Sequence, residues 1–405
     1  MVQFIQENAQ PAEVLLEKTV NINSGTLNLE GVKQVGQVFK AELENLGFTT
    51  RWISMPKSMN RAGHLFATLG KGDKNRILLI GHLDTVFEPT SPFQTFQRLG
   101  DRASGPGASD MKGGVVSMIS AFKALKHAGV LDRMNLTVAL MGDEEDVGLP
   151  QSISRKDLIQ AAKKSKYVLA FESSGKEMKQ IAVSRRGYAK WTLKVEAPQG
   201  HASKIFSSSM GDGAVYEMAR ILTEFRKQVG SMEYLTLNPG LVAGGTSIDS
   251  PSNLFQLTVE GRPNIIAPRS VVYGDLRTIS EKQYVDATKT MQNIVKGNGP
   301  KTTSTISFES LMPPMEATEG NRRVATLVSQ VSQDLGFGEV SQEHPLERGA
   351  ADISFVAKYV DGVDGMGVLG FDEHSPNEQV DLKSLPKTAS RAAVTMYRIF
   401  LADLR

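Results

Sequence analysis

Apolar residues along this chain follow two kinds of pattern. Spacings of three and four predict amphipathic helices over 10–20 and 29–46, the second stopped by Gly47. Alternating or short apolar stretches predict strands over 48–53 and 64–68. Arg76-Ile-Leu-Leu-Ile80 is a compact apolar run, as expected of a strand buried on both faces. A helix over 111–127, a strand over 136–140, a helix over 155–164 and a strand over 167–171 follow. Strands alternating with helices predict parallel pairing through right-handed crossovers. In such sheets the site lies beyond the carboxyl ends of the strands.

From about Ser184 the pattern changes. Ala189-Lys-Trp-Thr-Leu-Lys-Val195 alternates like a strand with one wet face. A helix over 211–228, strands near 234–243, 253–260 and 270–277, and a helix over 281–296 come next. That order predicts a smaller α+β unit of the β-α-β-β-α-β kind with an antiparallel sheet, inserted into the first domain. A helix over 321–335, a strand over 365–369 and a final helix over 381–403 then resume the first pattern. The expected organisation is one α/β domain built from 1–183 and 303–405, with the insert at 184–302. The polar stretch 71–75 reads as a turn, not a phosphate loop, since no helix follows it.

Composition narrows the class. The 405 residues leave room for two domains and a sizeable core. Apolar content of 40% and charged content of 22% fit an ordinary globular protein. A net charge of +2 argues against nucleic acid or a membrane surface as partner. No run reaches the length of a membrane-spanning helix. No basic-then-apolar leader opens the chain, so it starts as a cytosolic protein or as a mature form; the expectation leans to a trimmed periplasmic or secreted form. Cysteine is absent, so disulfides and thiol catalysis are excluded and any metal must be held by His, Asp and Glu.

Candidate chemistry gathers around Gly105-Pro-Gly-Ala-Ser-Asp-Met-Lys-Gly-Gly114. Its glycines let the backbone turn sharply and pass close to a neighbour. Asp110 then stands at the mouth of a helix, where a lone Asp is usually a cap. Around it stand Gly81-His-Leu-Asp-Thr85, Asp143-Glu-Glu145, Glu172 and His374, oxygen and nitrogen donors of the kind a pair of zinc ions takes. His82 and Asp84 lie two apart at a strand end and can point the same way, so Asp84 is expected to hold the second ring nitrogen of a metal-bound His82. Asp110 could bridge two ions, with His82 and Glu172 on one and Glu145 and His374 on the other. Glu144, left over, could take a proton from an activated water. Each motif has a plainer reading: Asp143-Glu-Glu-Asp146 as a solvated acidic turn, His374 as a surface loop residue. Their joint occurrence at predicted strand ends and one helix-opening loop favours the site.

These residues, in this order, resemble the two-zinc exopeptidases and deacylases that include glutamate carboxypeptidase, acetylornithine deacetylase, succinyl-diaminopimelate desuccinylase and aminoacylase. Gly81-His-Leu-Asp-Thr-Val86 resembles the first metal motif and 105–114 the second, with Asp110 bridging. Asp143-Glu-Glu145 matches the base-and-ligand pair, Phe171-Glu172 the next ligand position, and Glu373-His-Ser-Pro-Asn-Glu378 the terminal His motif. The resemblance implies a mostly parallel-sheet zinc-peptidase domain carrying a ferredoxin-like lid and dimerisation domain. It implies a cis peptide bond after Asp110. It also implies that His201, otherwise a surface loop residue, reaches the active site of a partner subunit to stabilise an oxyanion. Asn264, acting across subunits like His201, and Arg277 would fix a free α-carboxylate, with a structural salt bridge as the plainer role for Arg277. Gly349-Ala-Ala-Asp-Ile353 resembles a loop near that carboxylate. The stretch 247–263 is longer than the common pattern.

The activity so implied is hydrolysis of an amide next to a free α-carboxylate, with two zinc ions per subunit, cobalt as a substitute, and Glu144 as base. The substrate would be a small peptide or an N-acyl amino acid, and the chain a homodimer. The alternatives are an N-acyl-amino-acid deacylase, including a single-zinc or cobalt-preferring one, and a non-hydrolytic binding protein on the same fold.

Overall fold

The computed structural model describes residues 1–72, 76–174, 178–250 and 256–403. The chain forms two compact units, one from Met1–Ser184 with Glu316–Arg405 and one from Arg185–Met315.

In the first unit, a six-stranded sheet runs in the order Thr49–Ile53, His64–Leu69, Leu136–Met141, Ile77–His82, Tyr167–Ala170, Asp361–Val363. The first two pairings are antiparallel and the remaining three parallel, so the sheet is mixed but mostly parallel. Every residue of Ile77–His82 and of Leu136–Met141 is buried, which is why their sequences are apolar without alternation. Helix Lys112–His127 packs against the C-terminal helix Ser384–Asp403, and the hydroxyls of Ser117 and Thr388 meet between them at 2.9 Å. Helix Leu29–Asn45 is capped by the Asn28 side chain, which accepts from Gly31 N–H.

The expected strand over 365–369 is corrected. The strand that joins the sheet is Asp361–Val363; beyond it Gly365 turns at φ +89°. The segment then lies along the end of the neighbouring strand, with Gly367 N–H donating to Glu172 O at 2.9 Å. Any side chain at Gly367 would strike the Phe171 and Glu172 carbonyl oxygens, at 2.3 and 2.7 Å.

The second unit is a four-stranded antiparallel sheet in the order Thr236–Gly245, Arg269–Thr278, Gly187–Glu196, Thr303–Met312. With helices Gly213–Gln228 and Glu281–Lys296 it has the β-α-β-β-α-β order expected. Strand Gly187–Glu196 alternates buried and partly exposed positions, and Trp191, Leu193 and Val195 face a core shared with Ile221, Phe225 and Met291. The second boundary, expected at 302/303, moves to 315/316, because Thr303–Met312 pairs with Gly187–Glu196 along its length. Within the stretch 247–263, Ser247–Asp249 pairs with Thr258–Glu260 as a short ribbon; residues 251–255 lie outside the described residues, as do 73–75 of the polar turn.

Candidate metal and catalytic centre

Three parallel strands deliver side chains to one end of the sheet. His82 closes Ile77–His82. Glu144 and Glu145 follow Leu136–Met141, and Glu172 follows Tyr167–Ala170. Asp110 comes from the glycine-rich loop. Gly107 (φ +76°) makes the turn there, and the Asp110–Met111 peptide is cis, as the resemblance implies. Asp110 is not the helix cap: the capping position is Met111, with no side-chain cap bond. Both Asp110 oxygens face imidazoles instead, Oδ1 at 3.0 Å from His82 Nε2 and Oδ2 at 3.0 Å from His374 Nε2.

Around Asp110 the structure brings together all five expected ligands. His82 Nε2 lies 3.6 Å from Glu172 Oε1, and His374 Nε2 lies 3.2 Å from Glu145 Oε2. His82, Asp110 and Glu172 form one group and Asp110, Glu145 and His374 another; within each group the donor atoms lie within 4.8 Å of one another. Asp110 belongs to both.

The electrostatics of this cluster call for cations. Burial pushes the Glu172 carboxyl well above its usual range, and Asp110 adds to it. Glu145 is pushed up to about 7, by burial and then by Asp110. Burial pulls the His82 imidazole down, but Glu172, Asp110 and Asp84 outweigh it and raise it well above its usual value. His374 is raised to about 11 by its hydrogen bonds to Asp110 and Glu145. Buried carboxylates that crowd one another, with imidazoles drawn toward the cationic form, are the donor chemistry of a divalent metal pair. The residues present fit such a pair.

Asp84 departs from its expected contact. The nearer partner of His82 Nδ1 is the Asp84 backbone carbonyl, at 3.0 Å; its carboxylate Oδ1 lies at 3.5 Å. The carboxylate accepts instead from Thr26 Oγ1 at 2.7 Å and from the N–H groups of Glu144 and Glu145, both at 3.1 Å. Glu144 is pushed well above its usual range by burial, with Asp352, Glu145 and Asp110 adding to it.

The acidic turn is not simply solvated. Asp143 is buried, and its carboxylate and carbonyl accept from the fully buried Arg155. Arg155 Nε also donates to Asp352 Oδ1 at 2.8 Å, so Asp352 of the 349–353 motif is a buried anchor, 2% exposed. Glu144 and Glu145 are half-buried, and Asp146 is exposed and held by Arg61. No pattern in the chain points to Arg155, nor to Lys112, whose ammonium is buried and donates to Ile22 O at 3.1 Å.

In the second unit, His201 and Asn264 are neighbours. Gly200–His201 pairs with Ile265–Ile266, and Ala202 N–H donates to Asn264 O at 2.9 Å. His201 is exposed, with Nδ1 2.8 Å from Ser203 Oγ. Arg277 lies elsewhere. It is half-buried over the Tyr188 ring, with Nε 3.3 Å from both Asp275 oxygens. Arg269 pairs with Glu196 at the strand end nearest His201, whereas Arg277 pairs with Tyr188 at the other. The stretch of strand from Arg269 to Arg277 spans roughly 25 Å. Arg277 and Asn264 of one chain are therefore too far apart to meet on one carboxylate.

A mostly parallel sheet whose strand ends converge on two ligand groups sharing one aspartate defines a metal-dependent hydrolase. The chain belongs to peptidase family M20/M25/M40, whose model matches residues 78–398. It is 28% identical over 394 residues to carboxypeptidase G2 of Pseudomonas sp. (strain RS-16), covering 95% of this chain and 88% of that one. It is 24% identical over 371 residues to succinyl-diaminopimelate desuccinylase of Variovorax paradoxus, covering 86% and 88%. Its fold matches aminopeptidase PepT from Bacillus cereus with a TM-score of 0.78 at 18% identity, covering 97% and 99%. Among the described residues no helix is long and apolar enough to cross a membrane.

Proposed function

We propose that the protein is a two-metal carboxypeptidase that hydrolyses an amide bond next to a free α-carboxylate. The single observation that carries this reading is the sharing of Asp110 between two ligand groups, with Glu144 on the adjoining turn. His82, Asp110 and Glu172 would hold one ion, and Asp110, Glu145 and His374 the other. We assign zinc to both positions, with cobalt as a working substitute, because the donors are imidazole and carboxylate without thiolate. Bound there, the pair would polarise the scissile carbonyl and acidify a water.

The chain's own residues supply the rest. Glu144 is the proton carrier: half-buried and crowded by carboxylates, it has a raised proton affinity and can accept a proton from water and return it to the leaving amine. Asp84 orients both partners, touching the His82 ring with its carbonyl and holding the Glu144–Glu145 backbone with its carboxylate. Arg277 fixes the substrate carboxylate, and His201 with Asn264 faces the developing oxyanion. Because Arg277 sits far along the strand from His201 and Asn264, the latter two would come from a second copy, making the enzyme a homodimer through Arg185–Met315.

The likeness to carboxypeptidase G2 across nearly the whole chain favours a carboxypeptidase; the likeness to a desuccinylase favours an N-acyl-amino-acid deacylase as the second reading. Hydrolysis of a panel by the zinc-loaded enzyme tests them: dipeptides, N-acetylornithine, N-succinyl and other N-acyl amino acids, and folyl- or benzoyl-glutamate. Cleavage of peptides and aroyl-glutamates with a free carboxyl end is expected. Preference for N-succinyl or N-acetyl substrates would replace the first reading with the second, and cleavage of none would overturn both.

A further inference from the structure

Glu378 lies four residues after His374, and its side chain is 1% exposed. Its carboxylate points into the glycine-rich loop some 270 residues earlier in the chain. Oε1 accepts from Ser109 N–H at 2.9 Å, Asp110 N–H at 3.1 Å and Ser109 Oγ at 3.2 Å; Oε2 accepts from Gly107 N–H at 3.2 Å. The Glu378 backbone carbonyl adds a bond from Ser104 Oγ at 2.9 Å. Behind it, Gln379–Asp381 pairs with Arg102–Ser104.

Three backbone N–H groups and a hydroxyl thus converge on one buried carboxylate. Charge-assisted bonds of this kind are short and directional, and buried N–H groups left without an acceptor would be costly. Among the donors is the N–H of Asp110 itself, so Glu378 fixes the residue whose two oxygens face His82 and His374. Glu378 also shares a loop with His374, whose side chain is 57% exposed. In the other group, His82 and Glu172 stand at the ends of neighbouring strands of the main sheet, held independently of Glu378.

We infer that Glu378 is a positioning residue that docks the His374 loop onto the Asp110 loop, and that it governs the Asp110–Glu145–His374 group more than the His82–Asp110–Glu172 group. This rests on the two-metal reading of the site. Removing Glu378 loosens two of the three members of the former group, Asp110 and His374, but only Asp110 in the latter.

The test is cobalt titration of the metal-stripped full chain, followed by calorimetry and by the visible absorption of the bound ion. Wild type should take two equivalents. E378A should keep one equivalent near its wild-type affinity and weaken the other by about ten- to a hundredfold, the range seen when partners of metal ligands are removed. E378Q, which keeps one oxygen for Ser109 and Asp110, should fall between. Two equivalents at wild-type affinity in E378A, or equal weakening of both, would overturn the inference. If E378A does not fold, E378Q decides: unequal weakening supports the inference and unchanged binding overturns it. Fewer than two equivalents in wild type would overturn the two-metal reading, and this inference with it.

Discussion

Asp84 Oδ1 accepts the backbone N–H of Glu144 at 3.1 Å. The bond ties the residue beside the His82 ring to the proposed proton carrier, and Oδ2 treats Glu145 the same way. In D84N one of these N–H groups would face an amide NH2 instead of an acceptor. We expect kcat to fall by about ten- to a hundredfold, with KM little changed, since no substrate contact is removed. Steady-state kinetics on the best panel substrate checks this; an unchanged kcat would remove Asp84 from the machinery.

The separation of Arg277 from His201 within one chain leads to a mixing experiment. H201A and E144A should each be nearly inactive alone. Unfolded together and refolded, they form hybrids in which one site has an intact Glu144 and receives His201 from the other copy. Activity should reappear, to about a quarter of wild type if copies pair at random. Absence of any recovery in verified hybrids would place His201 in its own subunit's chemistry or outside catalysis.

His64 supplies a pH-dependent term of calculable sign. It is fully buried, its Nδ1 accepts from Gly142 N–H at 3.1 Å, and its Nε2 faces Ser154 O at 3.0 Å. Both nitrogens are satisfied only by the neutral ring, and burial holds the imidazole below its usual value. Between that lowered value and the ordinary one near 6.5, the unfolded chain binds a proton that the folded chain refuses. Stability therefore rises with pH through this window and is lost as the pH falls through it. Thermal melts of the wild type and H64Q at pH 7.5 and 5.5 should show a smaller acid-induced drop in the variant. An equal drop would contradict the assignment.

Much of the site was legible because its ligands sit where chain pattern changes. His82, Glu145 and Glu172 each follow an apolar run, and runs of that kind become the central parallel strands. The glycines around Asp110 signalled a close approach, and the structure shows it: a side chain at Gly114 would meet Phe171 O at 2.0 Å, one residue before Glu172. What was not legible depends on orientation or register. Composition does not tell whether Asp84 meets the imidazole through its carbonyl or its carboxylate. The distance from His201 to Arg277 follows from strand register, which no local pattern encodes. Thr303–Met312 was missed as part of the insert because serines and threonines fill much of it, with Ile306 and Phe308 supplying its packing on the core.

The proposed division of the chemistry between two metal ions and Glu144 is checked by measuring metal content and turnover together in E144Q. Two equivalents of zinc per chain are expected, as in wild type, with kcat reduced by at least about a hundredfold, since general-base catalysis contributes 10²–10⁴. An E144Q enzyme that binds two ions and keeps wild-type turnover would contradict it.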